Sequence, residues 1–205
     1  MLAPACAADS SDAGSQVLNG QIALHTSIST LQTVIDNVGE DVGVQSVAAG
    51  NVLDVTTMND THVDSNQYTS SIDISSDLGA RVTNVGGSVG IQGQAVCNSA
   101  GVSTDPNVTA VTNVQVCDAV DPTSRAYVDA ANIGGSFSLA NSALGNSFEA
   151  DSNALNMPVT NTQVNHSSVN AVTTANVFNV GGTVSVTSAA IGNNAQIIHY
   201  STENN

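Results

Sequence analysis

The residues whose chemistry could serve a metal site or acid–base catalysis are four histidines and three carboxylate pairs. The histidines share no metal-ligand spacing: His25, His62, His166 and His199. The best local cluster places His62 between two aspartates, Asp60 and Asp64, and we interpret it as a solvated loop. The carboxylate pairs that could hold Ca²⁺ or cleave a polysaccharide are Asp9/Asp12, Asp73/Asp77 and Asp118/Asp121. None of these pairs recurs regularly, so we expect no catalytic residue, no metal and no cofactor, with a calcium site as the open alternative.

Cysteine is the other reactive side chain, and the chain has three. Cys6 lies in a small-residue start, residues 1–8, which resembles the end of a signal peptide with an A-x-A cleavage pattern. A bacterial lipoprotein signal is the alternative, although Pro4 fits it poorly. Exported proteins form disulfides, so we predict a bond between Cys97 and Cys117. Two small buried hydrophobes are the other interpretation of that pair.

Charge excludes two classes of partner. The chain has 17 acidic residues and a formal net charge of −15, and its only two strong bases are Arg81 and Arg125. Nucleic-acid binding needs Lys and Arg to neutralise phosphates, and so does adhesion to an anionic membrane. No run of about 18 apolar residues exists, so we expect no membrane-spanning helix. Because residues 1–8 resemble the end of a signal peptide, we expect an exported, extracellular or cell-surface protein.

Composition favours strands over helices. Apolar residues make up 41% of the chain but aromatic residues only 3%, and charged residues only 9%. Val, Ile and Thr are frequent, and their branched side chains suit a pleated strand. The long charged residues on which most helices depend are nearly absent.

A tandem repeat organises the sequence. Four segments align without gaps at spacings of 47, 48 and 47: residues 37–44, 84–91, 132–139 and 179–186. Residues 17–22 also match 111–116 and 159–164, whereas the stretch near Asn66 fits poorly. A fainter echo at 22 residues, between 164–169 and 186–191, indicates two coils in each unit. A fixed period of this kind is typical of stacked structural units.

The local pattern predicts the shape of each unit. Apolar and polar residues alternate, as in Val184-x-Val186, and Gly-Gly or Gly-Asn pairs interrupt the alternation. We expect the glycines to supply positive φ at tight corners. The predicted fold is all-β, a β-solenoid of stacked β-arch coils with about four 47–48-residue repeats. A β-sandwich would have no reason to keep so strict a period. The solenoid is expected over residues 8–198, after a signal remnant at 1–7 and before a tail at 199–205.

Asparagines recur at two positions of the repeat. Stacked amides can hydrogen-bond along a column, so we predict two ladders: Asn37, Asn84, Asn132 and Asn179, and Asn51, Asn98, Asn146 and Asn193. Asn also favours turns, and both explanations can hold at once.

The two ends of the repeat array look complementary, because each carries a half-unit. Residues 184–198 contain neither the charge nor the proline that normally blunts an exposed strand edge. We predict head-to-tail assembly in which strands at 184–186 and 196–198 pair with residues 17–24 of a second copy. The residues expected to carry it are Val17, Ile22, Leu24, Val184, Val186, Ile197 and Ile198.

Two stretches carry a family resemblance, Ser-Ala-Leu-Gly-Asn-Ser at 142–147 and Ser-Ala-Ala-Ile-Gly-Asn-Asn at 188–194. They resemble curlin-type bacterial surface repeats and, more specifically, the repeats of holdfast anchor proteins from stalked bacteria. Curlin units are shorter, and Gln21, Gln115 and Gln163 keep only part of their pattern. The resemblance covers residues 8–198 and implies an extracellular amyloid-like or solenoid fibre used in adhesion or matrix. No catalytic residue carries over.

The leading functional hypothesis is therefore a structural subunit of a self-assembling extracellular fibre, with the chain itself as its partner. One alternative is a monomeric solenoid adhesin that displays a ligand face, with cell-surface polysaccharide as a candidate partner. The other is a polysaccharide-active β-helix enzyme.

Overall fold

Twelve β-strands make up the computed structural model, which describes residues 15–105, 109–118, 121–153 and 156–200. No helix occurs in these ranges. The strands are β1 Ser15–Ala23, β2 Ser27–Val38, β3 Val42–Thr57, β4 Thr61–Thr69, β5 Ile74–Val85, β6 Val89–Thr104, β7 Thr109–Cys117, β8 Thr123–Ile133, β9 Phe137–Ser152, β10 Val159–Asn165, β11 Asn170–Val180 and β12 Val184–His199. The predicted domain boundary at residues 7 and 8 lies outside the described residues.

Each strand stacks on the strand three positions earlier in the chain, which gives three parallel sheets. Sheet A has the order β1-β4-β7-β10, sheet B the order β2-β5-β8-β11, and sheet C the order β3-β6-β9-β12. Three consecutive strands thus form one coil, and four coils make a β-solenoid, as the sequence predicted. The prediction of two coils in each repeat is wrong. The 22-residue echo compares β10 with β12, which lie in different sheets and never stack.

The stacking register is the one that the repeat predicts. Val42 pairs with Val89, Val89 with Phe137, and Phe137 with Val184. The stretch near Asn66 keeps the same register, since β4 pairs with both β1 and β7 without a shift. It matches poorly in sequence because its outward-facing side chains differ from those of the other coils, and because the inward Ser65 stands where they have asparagine.

The core lies between sheet C and the other two sheets. The first half of each long sheet C strand packs against sheet B, around Val82, Ile133 and Phe137. The second half packs against sheet A, around Val63 and Phe148. Inward and outward side chains alternate along each strand, so the repeat buries one apolar column after another.

The corner between sheets B and C corrects one prediction. Positive φ occurs at the four asparagines Asn37, Asn84, Asn132 and Asn179, and at no glycine among the described residues. Asn tolerates this left-handed conformation better than other residues with a side chain. Glycine is needed nearby for a different reason: a Cβ on Gly86 would meet the carbonyl oxygen of Gly39 in the coil below. The glycines at these corners allow coils to approach closely.

Candidate functional site: amide ladders and two end surfaces

A column of glutamines runs along the inward face of sheet A. Its members are Gln21, Gln67, Gln115 and Gln163. The amide nitrogens of Gln67, Gln115 and Gln163 each donate to the side-chain oxygen of the glutamine one coil nearer the N-terminus, at 2.8–2.9 Å. All four glutamines share a second bond. Each also donates to a backbone carbonyl of sheet C at 2.9 Å. The sequence missed Gln67, although the fixed period of the repeat would have located it.

A column of asparagines runs along the inward face of sheet C. It contains the predicted residues Asn51, Asn98, Asn146 and Asn193. The amide nitrogens of the first three each donate to the oxygen of the asparagine one coil nearer the C-terminus, at 2.8–2.9 Å. Each nitrogen also donates to a backbone carbonyl of sheet A. This column therefore points in the opposite direction to the glutamine column.

Hydrogen bonding explains why these polar columns can sit in a core. Gln67, Gln115, Asn98 and Asn146 are all fully buried. A buried amide that lacks partners costs about 1–3 kcal/mol, and a primary amide has two N–H donors to satisfy. One donor goes to the stacked neighbour and the other to a backbone carbonyl. Because the carbonyl can only accept, it fixes which way each amide faces.

The outer asparagine column differs from its prediction at one end. Asn179 donates to Asn132 at 2.8 Å, and Asn132 donates to Asn84 at 2.9 Å. Asn84 then donates to the Asp36 carboxylate at 2.8 Å rather than to Asn37. Hydrogen bonds from Thr83 and Asn84 hold the pKa of Asp36 below its ordinary value of 3.8. The ladder thus ends on an aspartate because a carboxylate accepts more strongly than an amide oxygen.

A third column, inside sheet A, has a missing rung. Asn113 donates to Asn161 at 2.8 Å, and Asn19 donates to Ser65 at 3.3 Å. Ser65 lies between Asn19 and Asn113 in the stack. Its side chain is too short to reach onward, and the buried Oδ1 of Asn113 has no hydrogen-bond partner.

A disulfide joins Cys97 to Cys117, with the two Cα atoms 5.9 Å apart. The bond links the consecutive strands β6 and β7 across the interior. The sequence prediction instead placed the two cysteines at stacked positions on adjacent short coils. In the other three coils the position of Cys97 is a glycine: Gly50, Gly145 and Gly192. The position lies at a break in the pairing of sheet C, between the paired residues on either side. The cysteine thus occupies a corner that is otherwise kept small.

The last coil leaves core positions uncovered within the part of the chain that the structure describes. Val184 stacks on Phe137, yet its side chain is 52% exposed where Phe137 is 1% exposed. Val186 stacks on Leu139 and is 46% exposed, against 1% for Leu139. β12 is the edge strand of sheet C, just as β3 is its other edge.

The predicted self-assembly residues fall into two groups. Four occupy inward columns of the end coils: Val17, Val184, Val186 and Ile197. The other three do not: Ile22 shares an outward column with Tyr68, Ile198 shares one with Asp151, and Leu24 follows the end of β1. The predicted pairing of residues 184–198 with 17–24 of a second copy would not continue the stack. The first segment lies in sheet C and the second in sheet A.

One histidine and three of the carboxylates take part in scattered surface contacts. His62 and Asp64 lie in β4 and not in the predicted loop. The His166 ring lies 3.5 Å from the Asp118 carboxylate, and Asp121 accepts a backbone hydrogen bond from Ser168. Asp77 pairs with Arg125 at 3.3 Å. Within the described residues, no three His, Cys, Asp or Glu side chains are placed to hold a metal ion. Cys6, Asp9 and Asp12 lie outside the described residues.

No helix that is long and apolar enough to cross a membrane occurs in the described ranges.

Comparison with known proteins gives one family. The family model HfaD, holdfast attachment protein D, matches residues 36–205. No curated protein and no solved structure matches the chain.

Proposed function

The chain belongs to the holdfast attachment protein D family, and we propose that it acts in attachment as the structural subunit of an extracellular fibre made of stacked solenoids. Family membership implies a cell-surface or extracellular protein with a role in adhesion. In this proposal the chain performs no catalysis and holds no cofactor. Its partner is a second copy of itself.

The uncovered core of the last coil is the observation that carries the proposal. Inward positions that are buried in the middle coils lie half-exposed in β12, as at Val184 and Val186. Burying apolar surface stabilises an assembly by about 25 cal/mol per Å². An edge strand also offers a row of backbone N–H and C=O groups to another strand. A second solenoid that continues the stack would satisfy both.

A matched pair of substitutions tests this proposal. Val186→Asp places a carboxylate on the inward column of β12, where stacking would bury it without a counter-ion. Ser185→Asp adds the same charge to the outward face of the same strand. Sedimentation and electron microscopy of both variants should show fibres for Ser185→Asp and monomers for Val186→Asp. Because Val186 is already 46% exposed in the single chain, the monomer should fold in both cases.

Two results would contradict the fibre proposal. One is an unsubstituted chain that stays monomeric at millimolar concentration. The other is equal fibre formation by Val186→Asp and Ser185→Asp.

An adhesin that displays a ligand face is the second candidate, favoured by the outer surface of sheet B. Both arginines of the chain lie on this surface, each paired in register with an aspartate: Arg81 with Asp129, and Arg125 with Asp77. Tyr127 lies between them and is 53% exposed. An exposed aromatic ring flanked by charged hydrogen-bonding groups suits a sugar, so cell-surface polysaccharide is the proposed ligand class. Loss of polysaccharide binding by Tyr127→Ala, with fibre formation unchanged, is the expected result.

A further inference from the structure

We propose that the amide ladders fix the polarity and the register of the fibre. The last coil of one chain receives the first coil of a second copy, with β10 paired to β1, β11 to β2, and β12 to β3. This inference rests on the proposed function, since it describes how the stacked solenoids meet. It corrects the pairing that sequence reasoning gave, and it makes the junction a continuation of the internal stack.

The glutamine column leaves one unused group at each end of the described stack. Each glutamine donates toward the N-terminus, so the first member, Gln21, keeps an N–H beyond its bond to the Val52 carbonyl. The last member, Gln163, has a side-chain oxygen that accepts no bond within the described residues. A second copy placed on the last coil would bring its Gln21 donor to the Gln163 acceptor.

The asparagine column has the reverse direction and leads to the same arrangement. Asn51 at the first coil has an oxygen that accepts no bond within the described residues. Asn193 at the last coil donates to the Gln163 carbonyl at 3.4 Å and keeps its other N–H. Head-to-tail stacking therefore matches a donor to an acceptor in both columns. Two copies that met through the same end would run their strands antiparallel, and neither column would continue.

Charge points to the same occupant. β10, β11 and β12 contain no Asp, Glu, Lys or Arg, although the whole chain carries a net charge of −15. Natural edge strands normally carry charge that prevents pairing, and the edge strands of the last coil have none. On the first coil only Asp36 and Asp54 are charged within the strands. Within these six strands, no charged residue of one copy would face a like charge of the next.

The apolar columns also continue in this register. The internal stack places Val42, Val89, Phe137 and Val184 in one column, so the junction would put Val184 against the next Val42. In the same way Val186 would meet the next Val44, and Ile197 the next Val55. Each contact joins two apolar residues, one from each copy.

Cross-linking between two variants tests polarity and register together, each with one added cysteine and with Cys6→Ser, so that the Cys97–Cys117 disulfide is the only other cysteine pair. Asp54 and Gln196 occupy one outward column, which continues through Gly101 and Glu149. In the proposed junction their Cα atoms would lie about 4.8 Å apart, which a disulfide accepts. Oxidising fibres that are co-assembled from a mixture of Asp54→Cys and Gln196→Cys chains should give cross-linked dimers that contain one chain of each variant.

The outcomes of that experiment separate the two proposals. Cross-linked dimers of two Gln196→Cys chains, or of two Asp54→Cys chains, would overturn the polarity. A bond from Gln196→Cys to Thr56→Cys in place of Asp54→Cys would overturn the register. In either case fibres would still form and the proposed function would stand. If the unsubstituted chain forms no fibre, the proposed function itself fails.

Two acid substitutions test the ladders directly. Gln21→Glu keeps the oxygen that accepts from Gln67 but removes both donors, the one to the exposed Val52 carbonyl and the one proposed for the junction. Asn193→Asp likewise keeps the acceptor for Asn146 and removes the junction donor. Each should leave the monomer folded and raise the critical concentration for assembly by about tenfold or more. Assembly at an unchanged critical concentration in both variants would overturn the role of the ladders.

Discussion

The Gln115 side chain donates to the Gln67 side chain at 2.8 Å, although the two residues are 48 positions apart in the chain. The same amide donates to the Ser147 carbonyl at 2.9 Å. One buried residue thus ties its own coil to the coil below and sheet A to sheet C. The interior of this solenoid is held by such polar columns as well as by its apolar ones.

Gln115→Glu should destabilise the monomer by about 3 kcal/mol, because a buried carboxylate cannot donate to Gln67 or to the Ser147 carbonyl. Gln92→Glu is the matched control, since Gln92 is exposed on the outer face of sheet C and only accepts a bond from Gln45. Urea unfolding of both variants measures the difference. Equal free energies of unfolding would contradict the role of the ladder.

Ser65→Asn should stabilise the fold by about 0.5–1 kcal/mol. The longer side chain would supply the missing rung between Asn19 and Asn113 and satisfy the unpaired Oδ1 of Asn113. Asparagine already occupies this column in the other three coils, so the space per coil is sufficient. A lower melting temperature for Ser65→Asn than for the unsubstituted chain would refute this interpretation of the column.

The double variant Cys97→Gly/Cys117→Thr should fold and lose about 3 kcal/mol. It copies the pair Gly50 and Thr69, which occupies the equivalent corner between the first two coils. The loss arises because the 20-residue separation is no longer closed in the unfolded chain. Thermal unfolding with and without reductant provides the measurement. Reductant should lower the melting temperature of the native chain and leave that of the double variant unchanged.

The stability that Asp36 contributes should depend on pH. Its pKa is lower in the folded chain, first because Thr83 donates to the carboxylate and then because Asn84 does. A lowered folded pKa means that the contribution is present above the unfolded value near 3.8 and is lost as the pH falls through the folded value. The difference in unfolding free energy between the native chain and Asp36→Ala should therefore shrink as the pH falls below about 4. A difference that stays constant from pH 6 to pH 2 would contradict it.

The sequence predicted the stacking because repeated asparagines and glycines mark each coil at a fixed distance. It predicted the right cysteine pair, but for a reason that the fold does not support. It did not predict the correct number of coils in a repeat. The 22-residue similarity rests on Val, Ser and Asn, which recur both in strands that stack and in strands that only follow one another in the chain. The corner role of Asn37 and its equivalents was hidden for a related reason: Asn-x-Gly-Gly offers two residue types that both tolerate positive φ. The hydrogen bond from Asn84 to Asp36, in place of one to Asn37, depends on side-chain geometry that the repeat spacing does not encode.

The axial rise per chain in fibres, measured by electron cryomicroscopy, tests the central claim most directly. The four coils of the described residues, at about 4.8 Å each, should give one chain per about 19 Å of fibre, with strands perpendicular to the fibre axis. The four coils of each chain should be coaxial with those of the next. A fibre with one chain per about 4.8 Å layer, as in a flat amyloid, or with solenoids packed side by side, would contradict end-to-end stacking.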